Sequence, residues 1–107
     1  MANMNYLARR VTEEMKKKNI DQLALAAKAG VSQSTINRTL NSGTNTRIGT
    51  VVKIAKALGV PPEYLIIEDE TKALLCLELS HMDKDTLRQT LLYLEKEKLY
   101  KELKKTA

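Results

Sequence analysis

The feature that most constrains the fold is a glycine, Gly30, set between two short stretches of helical apolar periodicity. Gly30 can adopt the left-handed backbone conformation that ends a helix in a tight turn. Ala26 is small enough for the helices on either side of that turn to cross closely, and Val31, Ile36 and Leu40 would point into a shared core. The pattern predicts two short helices joined by a tight turn, with the outer face of the second helix left free.

The outer face of that second helix is polar. On a helical wheel Ser34, Asn37, Arg38 and Asn41 lie outward, and Gln33 lies at the exposed N-terminal edge. In the major groove of DNA, glutamine pairs with adenine and arginine with guanine, and serine or asparagine can bond to bases or phosphates. The face is compatible with a helix that enters the major groove. The alternative interpretation is an ordinary solvated helix face.

Helical periodicity extends over most of the 107 residues, which include four Gly, two Pro and no Trp or Phe. Because helix-favouring residues dominate, we expect an all-α fold with an aliphatic core. The predicted helices span about 4–18, 22–29, 33–41, 46–58, 62–67, 71–79 and 84–104. The candidate N-cap residues are Asp21, Ser32, and Asp83 or Ser80. A composition shift at Glu68–Glu70 predicts a five-helix domain at 1–68 followed by a helical hairpin at 71–107.

Basic residues are concentrated in the first part of the chain. Residues 1–60 carry ten Lys or Arg against three Asp or Glu, whereas residues 61–107 carry eight against ten. A polyanionic partner is expected for the first part, because Lys and Arg release counterions from nucleic acid phosphates. The alternative is a basic surface that serves solubility. The outer face of the first helix is predicted to carry Arg9, Arg10, Lys16, Lys17 and Lys18.

Other functional classes find little support. No apolar run approaches the roughly 20 residues of a membrane span, and the N-terminus lacks a signal pattern, so we expect a cytoplasmic protein without membrane contact. The single Cys76 is expected to be a small buried hydrophobe rather than a redox sensor. With His81, expected in an exposed turn, it supplies too few ligands for zinc. We expect no catalytic residue, no metal and no cofactor, and therefore no enzyme.

Residues 22–65 resemble the Cro and phage-repressor type of helix-turn-helix domain. The matching positions are Gln22, Leu25-Ala26, Ala29-Gly30-Val31-Ser32-Gln33, Ile36, Asn41 and the run Ile54-Ala55-Lys56-Ala57-Leu58-Gly59-Val60. Together with the first helix, the resemblance covers about two-thirds of the chain. It implies a five-helix DNA-binding domain in which the third helix is the recognition helix.

The resemblance also implies roles for individual residues. In this family, the glutamine that opens helix two touches phosphate and braces the glutamine that opens helix three; Gln22 and Gln33 occupy these positions. The implied base contacts are Gln33, Ser34, Asn37 and Arg38. The implied phosphate or minor-groove contacts are Gln22, Ser32, Asn41, Thr44, Asn45 and Arg47. The chain departs from the family pattern at Thr39, Leu40, Ser42 and Gly49.

The long last helix has two apolar stripes, one with Leu87, Leu91 and Leu94 and one that includes Leu99. Because a helix in a monomer needs only one buried face, we expect Leu87, Leu91, Leu94 and Leu99 to support self-association. The alternative is a tail folded back on its own domain.

The function predicted from these features is a sequence-specific transcriptional regulator, a repressor that binds double-stranded DNA. It would bind a palindromic operator as a homodimer, with helix 33–41 in the major groove. The alternative is an antitoxin, in which the tail binds a toxin protein.

Overall fold

The computed structural model describes residues 5–41 and 46–106 of the chain. These residues form seven helices and, within the two ranges, no strand: α1 (Asn5–Lys18), α2 (Gln22–Ala29), α3 (Gln33–Asn41), α4 (Ile48–Leu58), α5 (Pro62–Ile66), α6 (Glu70–Ser80) and α7 (Lys84–Thr106). The predicted all-α fold, five helices followed by two C-terminal helices, is confirmed. Helix α4 begins two residues later than predicted because Arg47 has an extended backbone and acts as its N-cap residue.

The local sequence sets the ends of several helices. The carboxylate of Asp21 accepts the Ala24 backbone N–H at 2.8 Å, and that of Asp83 accepts the Thr86 N–H at 2.7 Å. Such caps satisfy N–H groups that the first turn of a helix leaves without a partner. Gly30 ends α2 at a φ of 71°. Of the two candidate caps for the last helix, Asp83 is the one that binds its first turn.

The core lies among α1–α5 and is aliphatic, as predicted, with one tyrosine. Its fully or nearly fully buried side chains are Leu7, Val11, Met15, Leu25, Ala26, Ile36, Val51, Ile54, Ala55, Leu58, Val60, Tyr64, Leu65 and Ala73. Ala73 belongs to α6, so the first of the two C-terminal helices packs against this core. Leu77, one turn further along α6, is half-buried against it.

Arg10 corrects one sequence prediction, because it lies inside the protein and not on the exposed face of α1. Its Nη1 donates to the carbonyl oxygens of Tyr64, at 2.8 Å, and Ile67. Its guanidinium lies between the rings of Tyr6 and Tyr64, 5.1 and 5.5 Å from their centroids. The prediction failed because Arg10 flanks Leu7 on the inward side of the helix, and the cation fits there only because carbonyl groups near the end of α5 surround it.

A second polar residue of α1, Glu14, is also buried. Its carboxylate accepts hydrogen bonds from Lys18 at 2.7 Å and Lys17 at 3.0 Å. Burial raises the pKa of Glu14, but the two lysine hydrogen bonds outweigh it, and the pKa is lowered overall. Part of the basic face predicted for α1 is therefore neutralised within the helix.

Helix α7 differs from every other helix because none of its residues is buried. It follows α6 after a short turn in which His81 is exposed, as predicted. Its leucines are 37% to 61% exposed, so α7 is not packed along α6 within this single chain. Cys76 on α6 is half-buried, less than predicted, and burial raises the pKa of its thiol.

Candidate nucleic-acid interface

The turn between α2 and α3 sets the position of the candidate recognition helix. Gly30 adopts the left-handed conformation, and the Val31 N–H donates to the carbonyl of Ala26 at 3.1 Å. Ile36 is completely buried and anchors α3 to the core. This is the geometry predicted from the spacing of Ala26, Gly30 and Ile36.

Thr39, one of the departures from the family pattern, lies on the inner face of α3. It is 3% exposed, whereas Leu40, which the sequence placed in the core, is only half-buried at its edge. The hydroxyl of Thr39 donates to the carbonyl of Thr35 at 2.9 Å, which satisfies the buried polar group. A threonine therefore fits where a larger apolar residue is usual in the resembling family.

Ser32 is the N-cap residue of α3, as predicted. Its Oγ accepts the Thr35 backbone N–H at 3.0 Å and shares a 2.8 Å hydrogen bond with the Thr35 hydroxyl. The side chain is exposed. Gln33 and Ser34 are exposed as well, so solvent reaches the N-terminal turn of α3, the end of a helix that favours an anion nearby.

The five residues predicted for the outer face of α3 are exposed and lie together. They line one open depression: Gln33, Ser34, Asn37, Arg38 and Asn41. Within it the side-chain amide of Asn41 donates to Asn37 Oδ1 at 2.7 Å. The fold thus presents hydrogen-bonding groups of several kinds on one continuous face.

The residues predicted to contact phosphate are more scattered. Gln22 opens α2 and is half-buried in a second depression, together with Lys16, Asn19 and Asp21. Arg47 is exposed at the start of α4. Within the described residues, the side chains of Gln22 and Gln33 make no hydrogen bond to each other. Thr44, Asn45 and Ser42 lie outside the described residues.

The electrostatics of this surface follow from the distribution of acidic residues along the chain. No Asp or Glu occurs between Asp21 and Glu63, so α2, α3 and α4 carry no acidic side chain. Lys28, Lys53 and Lys56 are exposed on α2 and α4. The gap in acidic residues was visible in the sequence and would have identified these three helices as a uniformly non-acidic surface, the kind that attracts a polyanion.

Comparison with known proteins agrees with this geometry. A helix-turn-helix family model matches residues 11–65, about half of the chain. Among solved structures, the chain is similar to one of a complex of the SinR protein with the SinI protein, at 28% sequence identity and a TM-score of 0.58, covering 86% of this chain and 97% of the other. No significant match is found among curated proteins. No described helix is long and apolar enough to cross a bilayer.

The matched region contains α2, the turn at Gly30, α3 and α4, the elements that form the non-acidic surface. The chain therefore belongs to the Cro and phage-repressor type of helix-turn-helix proteins, a family of DNA-binding transcription regulators.

Proposed function

We propose that this protein is a transcriptional repressor that binds a palindromic operator as a dimer, with α3 of each copy in the major groove. The observation that supports this most directly is the outer face of α3, where five exposed polar side chains share one depression and no acidic residue lies on the helix.

Base reading is assigned to four of these residues. Gln33, at the N-terminal end of α3, would reach a base edge first, and Arg38 would pair with guanine. Ser34 and Asn37 would complete the reading face. Their exposure in the free protein means that none of them has to leave a buried site before it meets DNA.

Contacts to the DNA backbone are assigned to residues around this face, and they would fix the register of α3 without reading sequence. Gln22 and Arg47 lie at the starts of α2 and α4, and Ser32 caps α3. The complete proposed set is Gln22, Ser32, Asn41, Thr44, Asn45 and Arg47.

Selection of bound duplexes from a random pool tests this assignment. We expect a palindromic motif, and Gln33→Ala and Arg38→Ala should each weaken binding to it by about 1–3 kcal/mol while sparing non-specific binding. Lys72→Ala, which removes one exposed positive charge from α6, is the matched control and should leave specific binding nearly unchanged. Normal binding by both α3 variants would refute the assigned reading face.

Dimerisation is assigned to residues 71–107, with the DNA-binding domain at 1–68. Leu87, Leu91, Leu94 and Leu99 are 37%, 57%, 54% and 61% exposed in the single chain. In proteins most of the stability of a helix comes from packing of its apolar face. A leucine that goes from fully exposed to fully buried contributes about 1.5–3 kcal/mol, and these partly exposed leucines would contribute correspondingly less. A second copy of the chain would bury these leucines in a dimer interface.

Sedimentation of the full chain tests this part. The double variant Leu91→Ser/Leu94→Ser should raise the dimer dissociation constant by about tenfold or more. Gln89→Ser, on the same exposed helix, should leave it unchanged. A wild-type chain that is monomeric at tens of micromolar would exclude the dimer. Truncations should retain α6, because Ala73 fills the core of the DNA-binding domain.

A second candidate function is that of an antitoxin or another regulator whose tail binds a different protein. Two observations favour it: the exposed leucines of α7, and the similarity to a structure in which two different proteins form a complex. A small partner that copurifies with the full chain, but not with the Leu91→Ser/Leu94→Ser variant, would support it. Purified wild-type dimers that repress without any partner would argue against it.

A further inference from the structure

The cluster at the base of α6 consists of two arginines from α1 and one carboxylate. Arg9 Nη2 donates to Glu70 Oε2 at 2.8 Å, and Arg10 Nη2 donates to the same oxygen at 3.1 Å. Glu70 is the first residue of α6. We call these three residues the basal clasp; it ties the start of the C-terminal helices to the first helix of the DNA-binding domain.

Arg10 is a rigid anchor for this clasp. Its side chain is 0% exposed, and besides Glu70 it donates to the carbonyl oxygens of Tyr64, Ile67 and Glu68. A guanidinium has five N–H donors in a fixed planar arrangement, so several simultaneous acceptors determine its orientation. The Arg10 guanidinium that Glu70 binds is therefore held in place by its contacts inside the protein.

Glu70 contributes one of the points at which α6 is attached to the domain. The others on the same face are Ala73, completely buried, and Leu77, half-buried. With Glu70, the attached segment of α6 runs from residue 70 to residue 77, about 10 Å of helix, and without it only from residue 73 to residue 77, about 6 Å. The angular freedom of α6 would therefore increase by roughly the ratio of these two lengths.

The direction of α6 matters because, among the described residues, no side chain of α7 is buried against the rest of the chain. None of its residues is buried, so it inherits its direction from α6 through the short turn at residues 81–83. The 23 residues of α7 extend about 34 Å, and a rotation of about 10° at the base would move the far end by about 6 Å. That is more than the roughly 3.4 Å between successive base pairs.

We propose that the basal clasp fixes the direction of α6 and α7, and that Glu70 thereby determines which half-site spacing a dimer of this protein accepts. The proposal rests on the dimer described above. Glu70 is a positioning residue here: it touches no base, and it acts through the angle between the recognition helix and the association surface on α7.

A distance measurement within one chain tests the first half of the proposal. Spin labels are placed on Lys28→Cys in α2 and Glu95→Cys in α7, in a Cys76→Ser background that removes the only native thiol. Labelled chains are mixed with an excess of unlabelled chains, so that each dimer carries at most one labelled copy. The control is Glu68→Ala, because the Arg10 guanidinium contacts the carbonyl of Glu68 and not its side chain.

We expect the distance distribution to be about twofold broader in Glu70→Ala than in the wild type, following the shorter attached segment of α6. Glu70→Gln, which keeps the size of the side chain and loses its charge, should give an intermediate width. Glu68→Ala should match the wild type. A wild-type width in both Glu70 variants would overturn the proposal.

The claim that Glu70 determines the accepted half-site spacing is tested with operators of different spacing. The selected operator is offered with its half-sites moved apart by two base pairs, and we expect the wild-type dimer to lose at least about tenfold in affinity while Glu70→Ala loses less than about threefold. Affinity for an isolated half-site should be equal in the two proteins, a result that general destabilisation would not give. Identical spacing preferences in the wild type and Glu70→Ala would overturn the claim about half-site spacing.

The two proposals can fail separately. If sedimentation finds only monomers of the wild-type chain, the proposed dimer is wrong, and the distance measurement within one chain still decides whether the clasp holds α6. If dimers form and the Glu70 variants behave as the wild type in both measurements, the clasp proposal alone is wrong.

Discussion

The DNA-binding domain and the last helix contain leucines in similar helical patterns, yet their surroundings are opposite. Leu7, Leu25 and Leu58 are at most 1% exposed, whereas Leu91 and Leu99 are 57% and 61% exposed. The difference shows that apolar periodicity identifies a face to be covered and does not say what covers it. In the first region other helices of the same chain do so, and in the second region the cover has to come from outside α7.

The largest expected effect concerns the cation inside the first region. Arg10→Ala leaves a cavity and removes the donor for three carbonyl groups and for Glu70, so we expect a loss of about 3–5 kcal/mol in the free energy of unfolding. Arg9→Ala, which removes an arginine that is 46% exposed, should cost less than about 1 kcal/mol. Urea denaturation measures both. Equal losses of unfolding free energy in the two variants would contradict the stabilising role assigned to the buried position of Arg10.

The next prediction compares one leucine from each region. Leu25→Ala should lower the free energy of unfolding by about 2–5 kcal/mol at any protein concentration, because it empties a fully packed site. Leu91→Ala should change it by less than about 1 kcal/mol at low concentration, and its effect should grow as concentration rises and dimers form. Denaturation over a hundredfold range of concentration distinguishes the two. A concentration-independent loss at Leu91 would mean that α7 packs within its own chain.

A smaller effect is expected from the turn that positions α3. Gly30 has a φ of 71° with no neighbouring atom within 4 Å of an added Cβ, so Gly30→Ala should cost about 1–2 kcal/mol from backbone strain alone. An added Cβ at Gly49 in α4 would also meet no atom within 4 Å, and Gly49 has an ordinary helical backbone without a positive φ. Gly49→Ala should therefore raise the free energy of unfolding by up to about 1 kcal/mol. Thermal unfolding would compare them. The C-terminal helices contain no glycine and offer no such position.

The smallest predicted effect depends on pH. The pKa of Glu14 is lowered from 4.5 in the folded protein, because hydrogen bonds from Lys18 and Lys17 outweigh the effect of burial. A carboxylate with a lowered folded pKa contributes stability that is present above its unfolded pKa and is lost as pH falls through the folded value. The stability difference between the wild type and Glu14→Gln should therefore shrink below pH 4.5. A difference that stays constant between neutral pH and pH 3 would contradict this.

Much of the candidate interface could be predicted because its determinants are local. Gly30 and Ser32 act within a few residues of their own positions, and the outward side of α3 follows from a helical repeat once Ile36 is known to be inside. The resemblance of residues 22–65 to a known family added the roles of individual residues, which stay predictions. The absence of acidic residues over the whole span between Asp21 and Glu63 is a further signal that needs no structure.

Other features depended on groups that are distant in the chain. Arg10 was expected on the surface because a wheel of α1 contains no information about α5, more than 50 residues away, whose carbonyl groups form its binding site. Leu40 lies less deep than expected, and its neighbour Thr39 is buried, because the packing of α3 against other helices decides which of two adjacent side chains is covered.

The sequence by itself determined the order of the helices, the caps at Asp21, Ser32 and Asp83, the tight turn and the polar face of α3, since hydrogen bonding and backbone conformation within a few residues decide these features. Only the tertiary structure decided that Arg10 is buried, that Glu70 joins α6 to α1, and that α7 leaves the domain with all of its leucines uncovered. These outcomes depend on which side chains and carbonyl groups meet across the fold, and a one-dimensional pattern does not contain those distances.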